Sequence, residues 1–430
     1  MRRLLFVANP FPPMASGGTA RQLRFLRYLP EFDWEATVLT CRASGPVSPP
    51  ADLRVVRTVT PSPEPLYGAA RRATAAWAGW RRGRDTGHGG VGASPLPSRP
   101  GPDQRTARRE LTNRWLFVPD PYVAWAALAI VRGLRLVRDE HFDAIFSSSP
   151  RGSTQLAAAG IAALSGLPWL ADYRDPWPTR QFRVYPTPAH RRANFALERW
   201  SLGHASGVTT VNEQIADDLR RRYPPLASRV TVLSNGFDGS EACDAIAAPP
   251  GFWFVHTGRL YGRDHQVAAF LDALATLPDD VGVTFVGVDG RRLLAHAAAL
   301  GIEHRVRVEP FGSHARALGF QRSAAALLLV TGLAPESLSG KIYEYLCAGR
   351  PIFAVTPDHS AAAALLDEAG GARRAAPDRL LTEALASFVT AARAGRIEAP
   401  DPAVVNRYDS RVLTERLATL LGEMVASSRD

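Results

Sequence analysis

The feature that most constrains the fold of this chain is the alternation of strand and helix patterns along most of its length. Short apolar runs, such as Leu4–Ala8 and Ala326–Val330, are followed by stretches with a helical period. Strands that alternate with helices form parallel sheets covered by helices. Two such series occur, one on each side of an Asn235-Gly236 turn that we interpret as a hinge. The sequence therefore predicts an α/β protein with two similar domains facing a cleft.

The predicted domain boundaries follow from these two series. The first domain covers residues 1–235 and the second covers residues 236–409. A C-terminal helix within 410–430 is predicted to pack back on the first domain. A segment from about 66 to 109, rich in Pro, Gly and Arg, interrupts the first domain. Its low complexity predicts a flexible insertion.

The charge of the chain indicates acidic partners. The formal net charge is +10 at pH 7, which favours phosphorylated substrates, an anionic membrane surface or nucleic acid. No nucleic-acid-binding module is recognisable, so we expect no nucleic-acid partner. The stretch Leu66–Arg84 interleaves aromatic residues, among them Trp77 and Trp80, with arginine pairs. It is interpreted either as a peripheral membrane contact or as an amphipathic helix packed on its own domain.

Cysteine usage and hydropathy predict the compartment. The three cysteines are scattered and lack metal-ligand spacing, which is typical of a reducing cytoplasm. The apolar run at the N-terminus breaks at Pro10 and is too short for a signal peptide. The most apolar helical stretch, Tyr122–Val131, is interrupted by Arg132 and is too short to span a bilayer. We therefore expect a cytoplasmic protein, with peripheral contact at the inner membrane face as the alternative.

The stretch Pro335–Pro351 contains Lys341, the only lysine of the chain. Ser339 is predicted to cap a helix over Lys341–Ala348. A helix N-terminus exposes backbone N–H groups and the positive end of the helix dipole, so the Ser339-Gly340 pair followed by an ammonium group is suited to phosphate. We expect Lys341 to face solvent in this site. The alternative is a surface lysine on an ordinary amphipathic helix.

Two carboxylates flank this predicted phosphate site. Glu344 lies one helical turn beyond Lys341, and Glu336 lies eight residues before Glu344 in the preceding loop. Carboxylates accept hydrogen bonds from hydroxyl groups on either side of a bound phosphate. This arrangement matches the layout of a sugar nucleotide.

The N-terminal half contains two further candidate features. Gly17-Gly18 precede a helix predicted from Thr19, where they either let a pyrophosphate approach backbone amides or form a tight turn without a ligand. A polar cluster follows the strand Trp169–Ala171, at the edge of a parallel sheet where ligands bind. The cluster consists of Asp172, Arg174, Asp175 and Trp177. It is interpreted either as part of a catalytic site or as a structural ion-pair network.

These stretches together resemble the retaining glycosyltransferases of family 4, which have the GT-B fold of two Rossmann-like domains. The resemblance covers nearly all of the chain except about Leu66 to Arg109. It is carried, in chain order, by Pro12–Gly18 followed by Arg21, SSSPRGSTQL, PWLADYRDPW, VLSNGFD, HTGRLYGRD and the pair Glu336 and Glu344. The stretches SSSPRGSTQL and PWLADYRDPW resemble those of a subgroup of bacterial enzymes that act in surface-polysaccharide and secondary-metabolite synthesis.

The resemblance implies a role for each matching residue. Glu344 would hold the ribose hydroxyls and Glu336 the hydroxyls of the transferred sugar. Arg259, with Arg263 or Lys341, would hold the diphosphate. Phe311 and Gly312 would lie near the nucleotide base. The remaining donor-side residues would be Gly17, Gly18, Ser337, Ser339 and Gly340. The acceptor-side residues would be Arg21, Arg174 and Trp177.

The chain departs from the family pattern at three points. Many relatives have a lysine five residues after the first-loop arginine, whereas this chain has Asp264 there, which leaves Arg263 as a substitute. The histidine that many relatives place after a strand of the first domain is missing, and Arg174-Asp175 stand near that position. No Asp-x-Asp motif occurs, so a metal cofactor is not indicated.

The sequence thus predicts a retaining glycosyltransferase that uses a UDP- or GDP-linked sugar and a small-molecule or lipid-linked acceptor. Front-face attack is favoured, with the leaving diphosphate helping to deprotonate the acceptor. Asp172 or Asp175 is the alternative base. Two other classes stay open: an epimerase or hydrolase of sugar nucleotides, and a non-catalytic protein that binds them.

Overall fold

The protein consists of two parallel β-sheets covered by α-helices, which confirms the predicted α/β class. The structure is a computed structural model, and it describes residues 1–14, 18–45, 47–61, 110–179, 183–260, 262–332, 338–376 and 380–428.

The first sheet has seven strands in the order β3-β2-β1-β4-β5-β6-β7. Its inner strands are apolar and buried on both faces, as parallel strands between helices require. The strands are β1 (Arg2–Ala8), β2 (Trp34–Cys41), β3 (Arg54–Thr58), β4 (Ala144–Ser148), β5 (Trp169–Tyr173), β6 (Gly207–Thr210) and β7 (Val230–Val232).

Along the chain, these strands alternate with helices, and residues 110–116 are also helical. The other helices in this part of the chain are α1 (Thr19–Tyr28), α2 (Val123–Asp139), α3 (Gly152–Ser165), α4 (Pro188–Gly203) and α5 (Glu213–Arg222). Short 3₁₀ helices span Leu29–Phe32 and Pro224–Arg229.

The second sheet has six strands in the order β10-β9-β8-β11-β12-β13. They are β8 (Phe252–Thr257), β9 (Val281–Val286), β10 (Val306–Glu309), β11 (Ala326–Val330), β12 (Ile352–Val355) and β13 (Ala372–Ala375). The accompanying helices are α6 (Asp264–Ala275), α7 (Arg291–Ala299), α8 (His314–Ser323), α9 (Lys341–Ala348), α10 (Ala361–Ala369), α11 (Leu381–Arg393), α12 (Pro402–Asn406) and α13 (Ser410–Ser427), with a 3₁₀ turn at Glu303–Arg305.

Local sequence sets several helix boundaries. The side chains of Asn212, Ser313 and Ser360 accept hydrogen bonds from backbone N–H groups in the first turns of α5, α8 and α10. These caps satisfy amides that have no partner within the helix. Gly166 and Gly349 end α3 and α9 in the left-handed conformation that glycine adopts without steric cost.

An aromatic cluster forms part of the core of the second sheet. The rings of Phe254 and Phe388 are stacked with centroids 5.8 Å apart, and Phe353 lies 5.2 Å from Phe388. All three side chains are buried. Each fully buried aromatic side chain contributes on the order of 1.5–3 kcal/mol relative to exposure, so this cluster anchors β8 and β12 against α11.

The chain forms two compact units. The first comprises Met1–Thr19, Asp33–Thr209 and Glu423–Asp430, and the second comprises Ala20–Phe32 and Thr210–Gly422. Residues 20–32, which contain helix α1 from Ala20 onward, therefore belong to the second unit, although the chain on either side of them belongs to the first. The functional domain boundaries proposed from the sequence stay a prediction. Within the described ranges, no helix has both the length and the apolar character needed to cross a membrane.

Each sheet has a position where the strand order reverses. Strand β1 lies between β2 and β4, and β8 lies between β9 and β11. Loops that leave such neighbouring strands in opposite directions open a crevice at the carboxyl ends, where α/β proteins bind ligands. The sequence-predicted site residues after β8 and β11 belong to one such position, and those near β1, β4 and β5 belong to the other.

Candidate functional site

The loop after β8 forms one wall of the site in the second unit. Gly258 has a φ of 82°, in the left-handed region that glycine adopts freely. Arg259, which follows it, is exposed. Arg263 donates a hydrogen bond of 2.8 Å to the carbonyl of Val330, the last residue of β11. This bond ties the loop after β8 to the end of the neighbouring strand.

Lys341 lies against this loop at the start of α9. Its Nζ atom is 3.3 Å from Nε2 of His256, and a Cβ atom on Gly258 would lie 3.4 Å from it. Lys341 is partly buried, and its place in a solvent-facing cleft stays a prediction. Burial of the ammonium group, and then the positive charge of Arg263, lower the pKa of Lys341 to about 7, against the attraction of Glu344. The lysine therefore titrates near neutral pH.

The N-terminus of α9 differs from the predicted cap. Gly340, not Ser339, is the N-cap residue, and as a glycine it has no side chain that could accept a hydrogen bond from the first turn. The carbonyl of Ser339 instead accepts a 3.1 Å bond from the N–H of Ile342. Gly340 has helical φ and ψ angles of −56° and −26°. Because the N–H of Ile342 is used in the bond to Ser339, an anion at this end of the helix would interact with the other N–H groups of the turn.

Glu344 receives donors from two other helices. Nη2 of Arg24, on α1, lies 3.4 Å from Oε1, and Nε2 of Gln321, on α8, lies 3.4 Å from Oε2. His314 Nε2, also on α8, is 3.8 Å from Oε1. Gln321 also donates a 3.0 Å bond to the hydroxyl of Thr257. These contacts fix the orientation of the carboxylate that the family resemblance assigns to ribose.

Arg24 and His314 share a second carboxylate, Glu241. Arg24 donates through Nε and Nη2 at 3.0 and 2.8 Å, and His314 Nε2 lies 2.9 Å from Oε2. Burial raises the pKa of Glu241, but the hydrogen bonds from His314 and Arg24 outweigh it and lower the pKa to about 2. The bond to Glu241 raises the pKa of His314. The network therefore holds two carboxylates with cationic partners.

The predicted base-binding residues follow β10. Phe311 is 78% exposed, whereas Phe254, Phe353 and Phe388 in the core of this unit are buried. Its ring lies near Gly287, where a Cβ atom would come within 3.3 Å of it. An exposed ring beside a glycine offers a stacking surface for a planar base. Gly312 is exposed and adjoins it.

Four of the predicted site features lie outside the described residues. They are Gly17, Glu336, Ser337 and the basic aromatic segment within 66–109. Their assigned roles stay predictions.

In the first unit, Asp172 is fully buried at the end of β5. Its carboxylate accepts hydrogen bonds from Ser148 Oγ at 2.7 Å and from Thr209 Oγ1 at 3.0 Å. These bonds join β5 to strands β4 and β6. A carboxylate enclosed in this way is suited to holding strand ends together, which favours Asp175 over Asp172 as the acceptor base.

Arg174 and Asp175 lie just beyond the strand. Ser149 Oγ accepts the backbone N–H of Arg174 at 2.9 Å and that of Asp175 at 3.3 Å. The two side chains approach each other to 3.8 Å. The guanidinium of Arg174 packs directly on Gly18, where a Cβ atom would lie 1.4 Å from Nη1. Gly18 is therefore required for this close approach.

Trp177 and Arg21 have structural partners. The Trp177 ring packs on Gly152, and its Nε1 donates a 3.1 Å bond to Asn194 Oδ1. Arg21, in the second unit, donates to the carbonyls of Leu233 and Ser234, at 2.8 Å for the first. Both side chains are nearly fully buried, so their assigned acceptor roles stay predictions.

The sequence analysis missed Arg24, His256, His314 and Gln321. Two spacing signals were present: Arg24 follows Arg21 by three residues on α1, and Gln321 follows His314 by seven residues on α8. Residues at these spacings share one helix face. His256 lies near the carboxyl end of β8, which is buried along its whole length, and the sequence of such a strand gives no sign of what the histidine ring contacts.

Metal ligation was also tested against the structure. In the part of the chain that the structure describes, no group of three or more His, Cys, Asp or Glu side chains is arranged to hold a metal ion. The expectation that no metal cofactor is required stays a prediction.

Comparisons with known proteins found one family model and several solved structures that are similar to this chain. Residues 94–241 match the model of the family described as Glycosyltransferase Family 4. No curated protein matches the chain.

Solved structures share the whole architecture. A sucrose-phosphate synthase from Thermosynechococcus elongatus has a TM-score of 0.65 at 13% identity, covering 99% of this chain and 100% of that one. Anabaena HepE in complex with UDP has a TM-score of 0.59 at 16% identity, covering 98% and 100%. A UDP-GlcNAc 2-epimerase from Methanocaldococcus jannaschii has a TM-score of 0.56 at 10% identity, covering 98% and 100%. At these identities the likeness shows the fold, which is GT-B.

Proposed function

We propose that this chain is a glycosyltransferase of family 4, and that it transfers a sugar from a nucleoside diphosphate to a hydroxyl acceptor with retention of configuration. The match over residues 94–241 and the GT-B fold support this proposal. The observation that carries the proposal is the meeting of Lys341, Arg263 and Glu344 at the position where the strand order of the second sheet reverses.

The cations of this site would bind the diphosphate. Lys341 and Arg263 lie close enough for the positive charge of Arg263 to disfavour the ammonium form of Lys341. The N–H groups of α9 add partial positive charge, and exposed Arg259 lies in the same loop. A diphosphate would relieve the repulsion, and each charge-assisted hydrogen bond would contribute about 1.5–3 kcal/mol.

The carboxylate of Glu344 would bind the ribose hydroxyls. Arg24, His314 and Gln321 hold it in place, and a carboxylate with two oxygens can accept further hydrogen bonds. Phe311 would support the base by stacking. Anabaena HepE, of the same fold, was solved in complex with UDP, which supports a nucleotide at this half of the chain.

The reaction would proceed by front-face attack. An acceptor oxygen bonds to the anomeric carbon while the bond from that carbon to the diphosphate oxygen breaks. The acceptor proton passes to the departing diphosphate, whose negative charge is stabilised by Lys341 and Arg263. Cations that interact more strongly as this charge develops lower the barrier. Glu336 would hold the sugar hydroxyls.

The acceptor would be a small molecule or a lipid-linked sugar. Arg174 and Asp175, at the carboxyl end of β5, are the residues of the first unit best placed to contact it. Cytoplasmic location and peripheral contact with the membrane stay predictions.

A screen of nucleotides tests the proposal. The purified protein is heated with UDP, GDP, TDP or ADP, or their common sugars, with and without magnesium. A ligand that binds the folded state raises the unfolding temperature by mass action. We expect a shift with UDP or GDP that Glu344→Ala abolishes. The absence of a shift with every nucleotide, in a folded sample, would contradict the proposal.

Sugar-nucleotide epimerisation is the second candidate, because an epimerase shares the fold over the same length. An epimerase or hydrolase consumes or converts the donor without an acceptor. Incubation of the selected sugar nucleotide with the protein alone, followed by NMR of the sugar protons, separates the two. A new sugar or free nucleoside diphosphate forming at a catalytic rate would favour the second candidate.

A further inference from the structure

His256 lies at the end of β8 with both ring nitrogens near polar partners. Nδ1 is 3.0 Å from the carbonyl oxygen of Leu328, and Nε2 is 3.1 Å from that of Gly258. Nε2 is also 3.3 Å from Nζ of Lys341. The side chain is fully buried. Burial, and then the positive charge of Lys341, lower the pKa of His256 well below its ordinary value, so the ring is neutral.

A neutral imidazole carries one N–H, and the contacts select its position. With the proton on Nδ1, the ring donates to Leu328 and presents the lone pair of Nε2 to Lys341. With the proton on Nε2, the lone pair of Nδ1 would face the Leu328 oxygen and an N–H would face a cation. The first arrangement has one unfavourable contact, with the Gly258 oxygen, and the second has two. The first tautomer is therefore favoured.

We propose that His256 is a positioning residue, whose neutral ring, anchored on Leu328, accepts a hydrogen bond from Lys341 and aims its ammonium group at the donor diphosphate. This inference rests on the proposed function for its ligand. His256 itself does not touch the diphosphate in this scheme; it acts through Lys341. A lysine side chain has several rotatable bonds, so one fixed acceptor at its tip reduces the entropy lost when an anion binds.

The surroundings of Lys341 make this acceptor important. Among the described residues, the groups that act on its charge are Arg263 in the loop after β8, Glu344 on the same helix and His256 on β8. Arg263 and burial disfavour the ammonium form, whereas Glu344 and the Nε2 acceptor favour it. Loss of the acceptor therefore lowers the pKa of Lys341 further, and a bound diphosphate raises it.

The single lysine of the chain allows a direct measurement. Protein grown with lysine labelled with ¹³C at Cε gives one lysine signal, whose chemical shift is followed against pH. His256→Asn keeps an amide near Leu328 but does not reach Lys341, whereas His256→Gln restores an acceptor there. We expect the midpoint to fall in His256→Asn and to return toward that of the native protein in His256→Gln. His304→Phe, at an exposed histidine, is the control.

Donor binding supplies the second readout. With UDP as the probe, and GDP in parallel, His256→Asn is expected to weaken binding by about tenfold, the loss of one charge-assisted hydrogen bond. In a Lys341→Met background the same change is expected to have no further effect, because a residue that acts through the lysine has nothing left to position. His256→Phe, which fills the volume of the ring, is the second variant if His256→Asn does not fold.

Two results overturn the inference. One is a Lys341 titration that is the same in the native protein, His256→Asn and His256→Phe. The other is a loss of UDP affinity that adds fully to that of Lys341→Met, since a purely structural role for His256 gives additive losses. A protein that binds no nucleoside diphosphate overturns the proposed function, and the titration of the free protein still reports whether His256 and Lys341 are coupled.

Discussion

Nη2 of Arg24 lies 3.4 Å from Oε1 of Glu344, although the two residues are 320 positions apart in the chain. Arg24 is on α1, near the N-terminus, and is nearly fully buried. Glu344 is on α9, next to the predicted diphosphate site. The contact extends the proposed donor site to a helix that precedes the second sheet by more than 200 residues in the sequence. A guanidinium that orients one carboxylate while pairing bidentately with another acts as a fixed support.

Replacement of Arg24 is therefore expected to weaken donor binding. Arg24→Met leaves Glu241 and Glu344 without their shared cation, which we expect to raise the donor KM by about tenfold and to lower the free energy of unfolding by about 1–3 kcal/mol. Arg24→Lys is expected not to keep the native donor KM, because an ammonium group cannot reproduce the bidentate geometry. Donor titration and thermal unfolding measure both effects.

Arg27→Met is the matched control for Arg24. Arg27 lies on the same helix and pairs with Asp238 at 3.0 Å, but it is 53% exposed. Its partner Asp238 is buried but keeps hydrogen bonds from Tyr28 and Ser240 when the arginine is replaced, so we expect near-native stability and donor KM. Equal effects of the two substitutions would contradict a specific role for Arg24.

The titration of Lys341 predicts a pH dependence of donor binding. Since the pKa of Lys341 is about 7 in the free protein and rises when a diphosphate binds, binding takes up a proton above pH 7. The affinity for the nucleoside diphosphate is then highest below pH 7 and falls about tenfold per pH unit above it, up to the pKa of the complex. Calorimetry in buffers of different ionisation enthalpy measures the number of protons taken up when the nucleoside diphosphate binds.

Lys341→Arg tests whether the pH dependence of binding comes from the titration of Lys341, because it keeps a positive charge at this position. An arginine stays charged over the whole range, so we expect its affinity to be nearly independent of pH between about 7 and 9. Lys341→Met is expected to bind weakly at every pH. A native protein that shows no proton uptake would contradict the lowered pKa.

The packing of Arg174 on Gly18 predicts a steric effect at the edge of the first sheet. In Gly18→Ala the new methyl group would overlap the guanidinium, and we expect a loss of about 1–3 kcal/mol in the free energy of unfolding. In an Arg174→Ala background the loss should nearly vanish. Gly203→Ala meets no atom within 4 Å and is the control. Equal losses for Gly18→Ala in both backgrounds would show that Arg174 is not the cause.

Asp172 and Asp175 are predicted to separate into structural and functional roles. Asp172→Ala leaves the hydroxyls of Ser148 and Thr209 without their acceptor, so we expect a loss of about 1–3 kcal/mol in unfolding free energy. Asp175→Asn, at a side chain 34% exposed, should keep native stability and slow sugar transfer. Thermal unfolding and transfer assays check both. A stable but inactive Asp172→Asn would reverse the assignment.

Much of the fold was predictable because its signals are local. Strands such as Ala326–Val330 are continuous apolar runs, as buried parallel strands require. Helix α9 was predicted from the residues that start and stop it, and Gly349 ends it as expected. Ser339 was misassigned as its cap, because the helix start depends on the backbone angles of Gly340, which a sequence pattern does not specify.

By itself, the sequence determined the two alternating series, the placing of Lys341 at a helix start and the pairing of Glu344 with it on one helix. These follow from interactions within a few residues. Only the tertiary structure decided that His256 contacts Lys341, that Arg24 contacts Glu344 and that Asp172 is enclosed by neighbouring strands. The reason is physical: hydrogen bonding, burial and charge act over a few ångströms in space, and the packing of sheets and helices sets which residues come that close.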